Sequence, residues 1–298
     1  MSRLLDGRDL ASHLRRELEH RVSDLRGSDD VPAPILAILR DRASQAAALY
    51  AASLERAARS VGIEPRLIVA EPSADTAALE DLVEALNADP RVAGIVVAQP
   101  FADAAAGRRL AEMIDPAKDV DGATPTNAGR LARGEPAFVP ATALAVVAML
   151  EAHRVDVAGL RAVIVGRSAV VGRPVASLLL ARDATVVVCH RITRNLARET
   201  RRAEVLVAAA GSPRLIRPEM VNRSAIVIDC GINAIDGTIT GDVDFDAVAP
   251  VVRAITPVPG GIGPVTPMMV LRQTVESAER LTSRRGQRAS RPARPSRR

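Results

Sequence analysis

Glycine, arginine and a helix start fall together at one place in this chain. The apolar run Arg161-Ala162-Val163-Ile164-Val165 leads into Gly166-Arg167-Ser168, and Gly172-Arg173-Pro174 opens the next stretch. A glycine turn between a strand and a helix N-terminus lets backbone N–H groups approach a pyrophosphate, which is the physical basis of dinucleotide binding. The spacing is not the usual G-x-G-x-x-G, so a purely structural turn is the competing reading. The next apolar run ends in Cys189-His190-Arg191. Sites for NAD often carry an acid there to hold the ribose hydroxyls, whereas an arginine, with Arg167 in the turn, would receive the extra phosphate of NADP. A solvated loop residue is the plainer alternative for Arg191. Cys189 and Cys230 have neither a close partner nor metal-ligand spacing, so they are expected to be buried free thiols, and no metal site is expected.

The elements that would position these groups can be read from periodicity. Leu10, Leu14, Leu18 and Val22 put one apolar stripe on a helix over 8–26. Apolar runs at Ile35–Leu39, Leu67–Ala70 and Val92–Ala98 alternate with helical stretches at about 43–60 and 75–87, which predicts a parallel sheet covered on both faces. Periodicity fails over 115–140, where Pro, Gly, Asn and Asp accumulate, and a long connection of this kind is usually functional. A helix at about 143–153 then leads into a second alternation with strands at 162–165, 185–189, 205–208 and 225–229. Ligands of α/β sheets bind beyond the carboxyl ends of strands, where Gln99, Gly166, His190 and Gly231 fall. A last helix is predicted from Thr266 as N-cap and Pro267 as first helical residue, running to about residue 282.

Composition limits the function classes. The chain has 298 residues, 48% hydrophobic and 25% charged, which suits two folded domains. With no Trp, one Tyr (Tyr50) and three Phe, a base-stacking platform for single-stranded nucleic acid is hard to build. The net charge of +5 includes seven arginines after Thr282 with no acid among them, and taking those seven away leaves −2 for residues 1–282. The basicity is a tail, expected to be disordered over 283–298, and no specific nucleic-acid partner is expected. The first twenty residues lack the apolar stretch of a secretory signal, and the longest apolar run, Ala143–Leu150, is far too short for a membrane span, so a cytoplasmic protein is expected. Lys118 is the only lysine.

The segments Lys118-Asp119-Val120-Asp121-Gly122, Gly166-Arg167-Ser168 with Val171-Gly172-Arg173-Pro174, Val227 to Asn233, Gly241-Asp242-Val243-Asp244 and Pro257-Val258-Pro259-Gly260-Gly261-Ile262-Gly263-Pro264 stand in the order found in one family. The chain resembles the bifunctional methylenetetrahydrofolate dehydrogenase/methenyltetrahydrofolate cyclohydrolase family over about residues 3–282. That resemblance implies an α/β fold of two three-layer domains flanking a cleft. Residues 1–140 with the helix 266–282 would form a folate-binding catalytic domain, and 141–265 a Rossmann-like NADP-binding domain. It implies a homodimer acting on tetrahydrofolate derivatives in one-carbon metabolism. It also implies that Gly166, Arg167, Ser168, Arg191 and Ile232 meet NADP, that Tyr50 stacks beside the folate rings and Asp121 accepts hydrogen bonds from the pterin, and that Pro259, Gly260 and Gly261 lie against the substrate. Without the resemblance an ordinary Asp-Gly turn is the plainer alternative for Asp121, and a core aromatic for Tyr50.

The departures from the family bear most on chemistry. The family places a lysine four residues after the tyrosine, implicated in proton handling during hydrolysis, and here that position is Leu54. The family's Val-Gln-Leu-Pro reads Val97-Ala98-Gln99-Pro100, so Gln99 can stand in for the displaced glutamine only if the strand has ended or bulged. Its Pro-Cys-Thr-Pro reads Pro140-Ala141-Thr142-Ala143, and Ser44 lies six residues before the tyrosine instead of three. Hydride transfer survives such losses more easily than hydrolysis, which needs an activated water and a proton route. The expectation is an NADP-dependent methylenetetrahydrofolate dehydrogenase, with Tyr50, Gln99 and Asp121 at its catalytic centre and a weak or absent cyclohydrolase. The alternative is a non-catalytic folate- or nucleotide-binding paralogue.

Overall fold

The computed structural model describes residues 2–27, 31–71, 75–235 and 237–289. β1 (Arg3–Leu4) and α1 (Arg8–Arg26) precede a regular alternation of β2 (Ile35–Asp41), α2 (Gln45–Ser60), β3 (Glu64–Ala70), α3 (Thr76–Ala88) and β4 (Val92–Ala98). Two short helices, α4 (Ala104–Glu112) and α5 (Pro125–Ala132), and then α6 (Ala141–Ala152) lead to β5 (Arg161–Val165), α7 (Gly172–Leu180), β6 (Thr185–Cys189), α8 (Leu196–Thr200), β7 (Val205–Ala208) and β8 (Ile226–Asp229). A hairpin of β9 (Asn233–Ile235) and β10 (Thr238–Thr240), the single turn α9 (Phe245–Val248), β11 (Ala254–Ile255) and α10 (Ile262–Ala289) complete the described chain.

The contacts divide the chain into two α/β units. One holds residues 17–120 and the chain from Leu271 onward; the other holds the chain up to Arg16 and residues 121–270. The division therefore falls at 16/17, 120/121 and 270/271, whereas the sequence places it at 140/141 and 265/266. The first unit is built on a parallel sheet in the order β3-β2-β4. Every residue of β4 is buried and β2 is buried over Ile35–Leu39, as a strand covered on both faces requires. Ile35, Leu39, Val83, Leu86, Ile95 and Leu110 form the centre of its core. Its one lysine is structural: Lys118 is buried, and Nζ donates to the carbonyls of Leu86 (3.1 Å), Asn87 (2.6 Å) and Asp89 (2.7 Å) at the end of α3. A cation there meets the negative end of the helix dipole and satisfies carbonyls that have no partner within the helix.

The second unit carries a six-stranded parallel sheet in the order β1-β11-β8-β7-β5-β6. β5 lies between β6 and β7, so the chain crosses from one side of β5 to the other after β6. A crevice forms at such a reversal, at the carboxyl ends of the strands. Val163, Val165, Leu206, Val227, Val248 and Ile255 build the core on one face.

The terminal helix differs from its expected bounds. α10 begins at Ile262, four residues before Thr266, and Pro267 lies inside it. Pro267 removes the N–H that would have bonded the Gly263 carbonyl, and the Thr266 hydroxyl donates to the Ile262 carbonyl one turn back, 3.2 Å away. α10 also runs to Ala289, beyond the residue 282 predicted, because Arg and Gln favour helix and the first proline after Pro267 stands at 292. The rest of the expected tail, 290–298, lies outside the described residues.

Candidate functional site

The β5–α7 turn is closed so tightly that only glycine fits at two places. Gly166 leaves β5 at φ +135°, and a Cβ there would overlap the Ala209 carbonyl oxygen in the loop after β7. A Cβ at Gly172 would overlap the Gly166 carbonyl oxygen in the same way. The Ser168 hydroxyl accepts the N–H groups of Val171 (3.1 Å) and Gly172 (3.4 Å) where α7 starts. Arg167 and Arg191 are both exposed. The loop carrying Arg191 is shaped by the His190 N–H donating to the Thr193 hydroxyl (2.8 Å) and the Ile192 N–H donating to His190 Nδ1 (3.3 Å). A bare glycine backbone, a helix N-terminus and two exposed guanidinium groups at the β5/β7 reversal suit a phosphorylated dinucleotide. Among the described residues no carboxylate answers Arg191 in place of phosphate.

The Pro-Gly segment is held in the same unit by residues that the sequence reading passed over. The Val258–Pro259 peptide is cis, and Gly260 has φ +114°. The Gly7 N–H donates to the Gly260 carbonyl (2.8 Å), and a Cβ on Gly260 would stand 2.8 Å from an Arg8 guanidinium nitrogen. Arg8 is itself paired with Asp6 at 3.3 Å. The dipeptide Asp6-Gly7 ahead of an amphipathic helix was the available signal. Asp121 is half-buried, and its Oδ1 accepts the Ala141 N–H at 3.4 Å, the first N–H of α6. α6 has no side-chain cap of its own. Gly122 at φ +60° packs against Val139 and Pro140, so the Asp-Gly turn is real, and the carboxylate it presents sits at a helix N-terminus.

The other unit carries Tyr50, Leu54 and Gln99. Ser44 is the N-cap of α2, accepting the Ala47 N–H at 3.1 Å, which accounts for its distance from Tyr50. Tyr50 is half-buried, and Leu54, one turn further on, is 0% exposed. β4 ends at Ala98, so Gln99 lies just past the strand, the condition under which it could replace the displaced glutamine. Its amide oxygen accepts the Phe101 N–H (3.2 Å), and its nitrogen lies over Gly107 of α4. Gln99 is thus folded against its own loop, across a cis peptide to Pro100. Asp41, which sequence reasoning missed, joins this loop to the start of α2: it is buried and accepts the N–H groups of Ala43 (2.7 Å) and Ala102 (2.8 Å).

Behind the β7 and β8 loops lie two buried carboxylates. Asp229 accepts from the N–H groups of Gly231 (2.8 Å), Asp242 (3.0 Å) and Val243 (2.9 Å). Burial pushes its carboxyl up to about 6, the three N–H donors pull against the rise, and the charge of Asp242 adds to it. Cys189 is the buried free thiol expected, raised mainly by burial, whereas Cys230, beside the two aspartates, is a free thiol only half-buried as a residue, raised by desolvation and by both carboxylates. Ile232, at the end of this network, is 73% exposed.

The Asp229 shift has a definite sign in stability. A carboxyl whose pKa rises on folding binds more protons folded than unfolded between about 4 and about 6, so stability falls as pH rises through that window and is level above it. The size is about 3 kcal/mol at 1.36 kcal/mol per unit. Urea midpoints of the unmodified protein and of Asp229→Asn, measured from pH 4 to 7, should diverge with the unmodified protein losing ground as pH rises; a constant offset would refute this.

Comparison with known proteins covers both units. A family model described as "Tetrahydrofolate dehydrogenase/cyclohydrolase, catalytic domain" matches residues 5–121. A second, "Tetrahydrofolate dehydrogenase/cyclohydrolase, NAD(P)-binding domain", matches residues 140–282. The chain is similar to the bifunctional protein FolD of Chloroflexus aggregans, with 43% identity over 277 residues, covering 93% of this chain and 97% of that protein. It is 46% identical over 276 residues to the FolD protein of Parafrankia sp., covering 93% and 99% of the two chains. Among solved structures, FolD of Campylobacter jejuni superposes with a TM-score of 0.91 at 38% identity, covering 94% of this chain and 99% of that one. The Trypanosoma brucei enzyme, solved with NADP cofactor and an inhibitor, gives a TM-score of 0.89 at 33% identity, with 94% and 98% covered.

Proposed function

Because the chain belongs to the tetrahydrofolate dehydrogenase/cyclohydrolase family, we propose that it oxidises methylenetetrahydrofolate to methenyltetrahydrofolate with NADP, and that its hydrolysis of the methenyl product is weak. NADP, when bound, supplies a hydride acceptor at its nicotinamide ring. The folate nitrogen provides the electron push for hydride loss, so the protein's task in this step is orientation rather than proton removal. Gly166, Ser168 and the start of α7 hold the pyrophosphate, Arg167 and Arg191 take the additional phosphate, and Ile232 lies against the cofactor. Tyr50, Asp121 and the Pro259–Gly261 backbone hold the folate, with Asp121 as a fixed acceptor. Gln99 contributes if its side chain releases the Phe101 N–H.

What supports a weak hydrolysis step is Leu54. An alkyl side chain that is 0% exposed stands where the family's lysine is placed, and the one lysine in the chain is bound to three carbonyls. No helix among the described residues is long and apolar enough to cross a membrane. A cytoplasmic homodimer fits the reading, and sedimentation of the purified protein tests the dimer.

Spectroscopic assay of NADP reduction with methylenetetrahydrofolate tests the reading, and its absence with both ligands still bound would favour a non-catalytic paralogue. Cofactor choice is a separate expectation. Each charge-assisted hydrogen bond is worth about 1.5–3 kcal/mol, so Arg191→Ala should cut the preference for NADP over NAD about 10- to 100-fold. Initial rates against both cofactors measure it, and an unchanged ratio would return Arg191 to the solvated loop.

A further inference from the structure

Asp242 is 0% exposed, and its carboxylate takes three of its four hydrogen bonds from the backbone of a single loop. Its Oδ2 accepts the N–H groups of Ala210 (2.6 Å) and Gly211 (2.9 Å), and its Oδ1 accepts the Ser212 N–H (2.9 Å). Oδ1 also accepts from the Asn233 side-chain amide at 2.9 Å. The Asp242 backbone is pinned in turn, since its own N–H goes to Asp229, whose N–H goes to the Thr256 hydroxyl at 2.8 Å. Glycine is required around both groups: a Cβ at Gly231 would overlap Asp242, and one at Gly241 would overlap the Asp229 carboxylate.

Peptide geometry then fixes how the loop after β7 faces. In a trans peptide the N–H of one residue and the carbonyl of the residue before it point in opposite directions. Three consecutive N–H groups turned in toward Asp242 therefore turn the carbonyls of Ala209, Ala210 and Gly211 away from it. The Ala209 carbonyl is the one that stands over Gly166. The same carboxylate reaches, through Asn233, the segment carrying Ile232. One buried anion thus sets both the wall of the β5/β7 crevice and the loop beside it.

We propose that Asp242 is a positioning residue for NADP, fixing the 209–212 loop with its carbonyl edge toward the cofactor and tying it to the 231–233 segment. The inference rests on the assignment of NADP to this crevice. Asp242→Asn places an amide N–H2 against N–H donors on whichever side it occupies, so the loop must turn. Asn233→Ala is milder, removing one of the four hydrogen bonds and leaving the three from backbone.

The Kd for NADP by calorimetric titration, with KM for NADP, KM for methylenetetrahydrofolate and kcat, is to be measured on the full chain of all three proteins, and the Kd is expected to move with the NADP KM. In Asp242→Asn the NADP KM should rise about tenfold or more with the folate KM within about twofold, and in Asn233→Ala about threefold, as expected when hydrogen bonds to a buried charge are lost. An NADP KM within about twofold of the unmodified value in both variants, or the two KM values rising together as in general loosening, would overturn it. If Asp242→Asn does not fold, Asn233→Ala decides by the same split. Failure of the unmodified protein to reduce NADP would sink the functional reading itself, whereas normal turnover with unresponsive variants sinks only the role of Asp242.

Discussion

Methenyltetrahydrofolate incubated with this enzyme should be hydrolysed about 100- to 10,000-fold more slowly than with a relative that carries the lysine, the usual cost of losing a positioned acid/base. NADP reduction with methylenetetrahydrofolate should remain measurable on the same preparation. The two half-reactions ask different things of the protein. Hydride loss needs two flat rings held in contact, while hydrolysis needs a water to surrender a proton as it adds to the cationic carbon. Leu54 can neither accept nor relay that proton, Lys118 is held at the end of α3, and Gln99 already bonds the Phe101 N–H. Leu54→Lys is expected to restore part of the hydrolysis, limited because neighbours packed around a fully buried leucine must admit an ammonium group. Loss of methenyl absorbance with and without enzyme reads the result directly. Hydrolysis at the rate of lysine-bearing relatives would show that another group moves the proton.

Gly166→Ala should reduce NADP affinity about 30-fold or more, from backbone strain of about 1–3 kcal/mol and overpacking of similar size. At φ +135° an alanine is strained whatever the space, and here its methyl group would overlap the Ala209 carbonyl oxygen. The strand end, the turn and the β7 loop would have to part, and the pyrophosphate would lose its approach to the backbone. Calorimetric titration with NADP measures the loss, with methylenetetrahydrofolate titrated alongside to show that the folate residues persist. NADP affinity within about threefold of the unmodified protein would mean that the turn relaxes without harm.

Four strands of the six-stranded sheet and all three of the smaller one were legible because buried parallel strands leave continuous apolar runs, and β4 and β7 fall on the residues their runs predict, whereas β1 and β11, two residues each, are too short to leave a run. α4 and α5 were not seen. Each is two or three turns long with few buried side chains, too short for a periodic stripe, although Asp103 and Thr124 cap them as such residues should. The start of α10 misled because Thr266-Pro267 imitates a helix N-terminus inside a helix that had already begun. At the site, Gly166 and the Pro-Gly loop announce themselves through glycine, whose conformations other residues avoid. Asp41 and Asp242 do not, since each acts by accepting backbone N–H groups from residues distant in sequence. A carboxylate that organises a loop looks, in a sequence, like any other aspartate.

The partition of α10 sets the order in which the chain can fold as it is made. Residues 17–120 leave the ribosome well before Leu271, yet they share a unit with the chain from Leu271 onward. Gln273 donates to the Val120 carbonyl at 2.7 Å, Ser277 to the Ala117 carbonyl at 2.9 Å, and Thr274 packs over Gly94 in β4. During synthesis the β3-β2-β4 sheet must wait for these contacts while all of 121–270 is translated. The first long strands to emerge from the exit tunnel belong to the unit completed last, and β4 gains its cover from Thr274 only once α10 has been made.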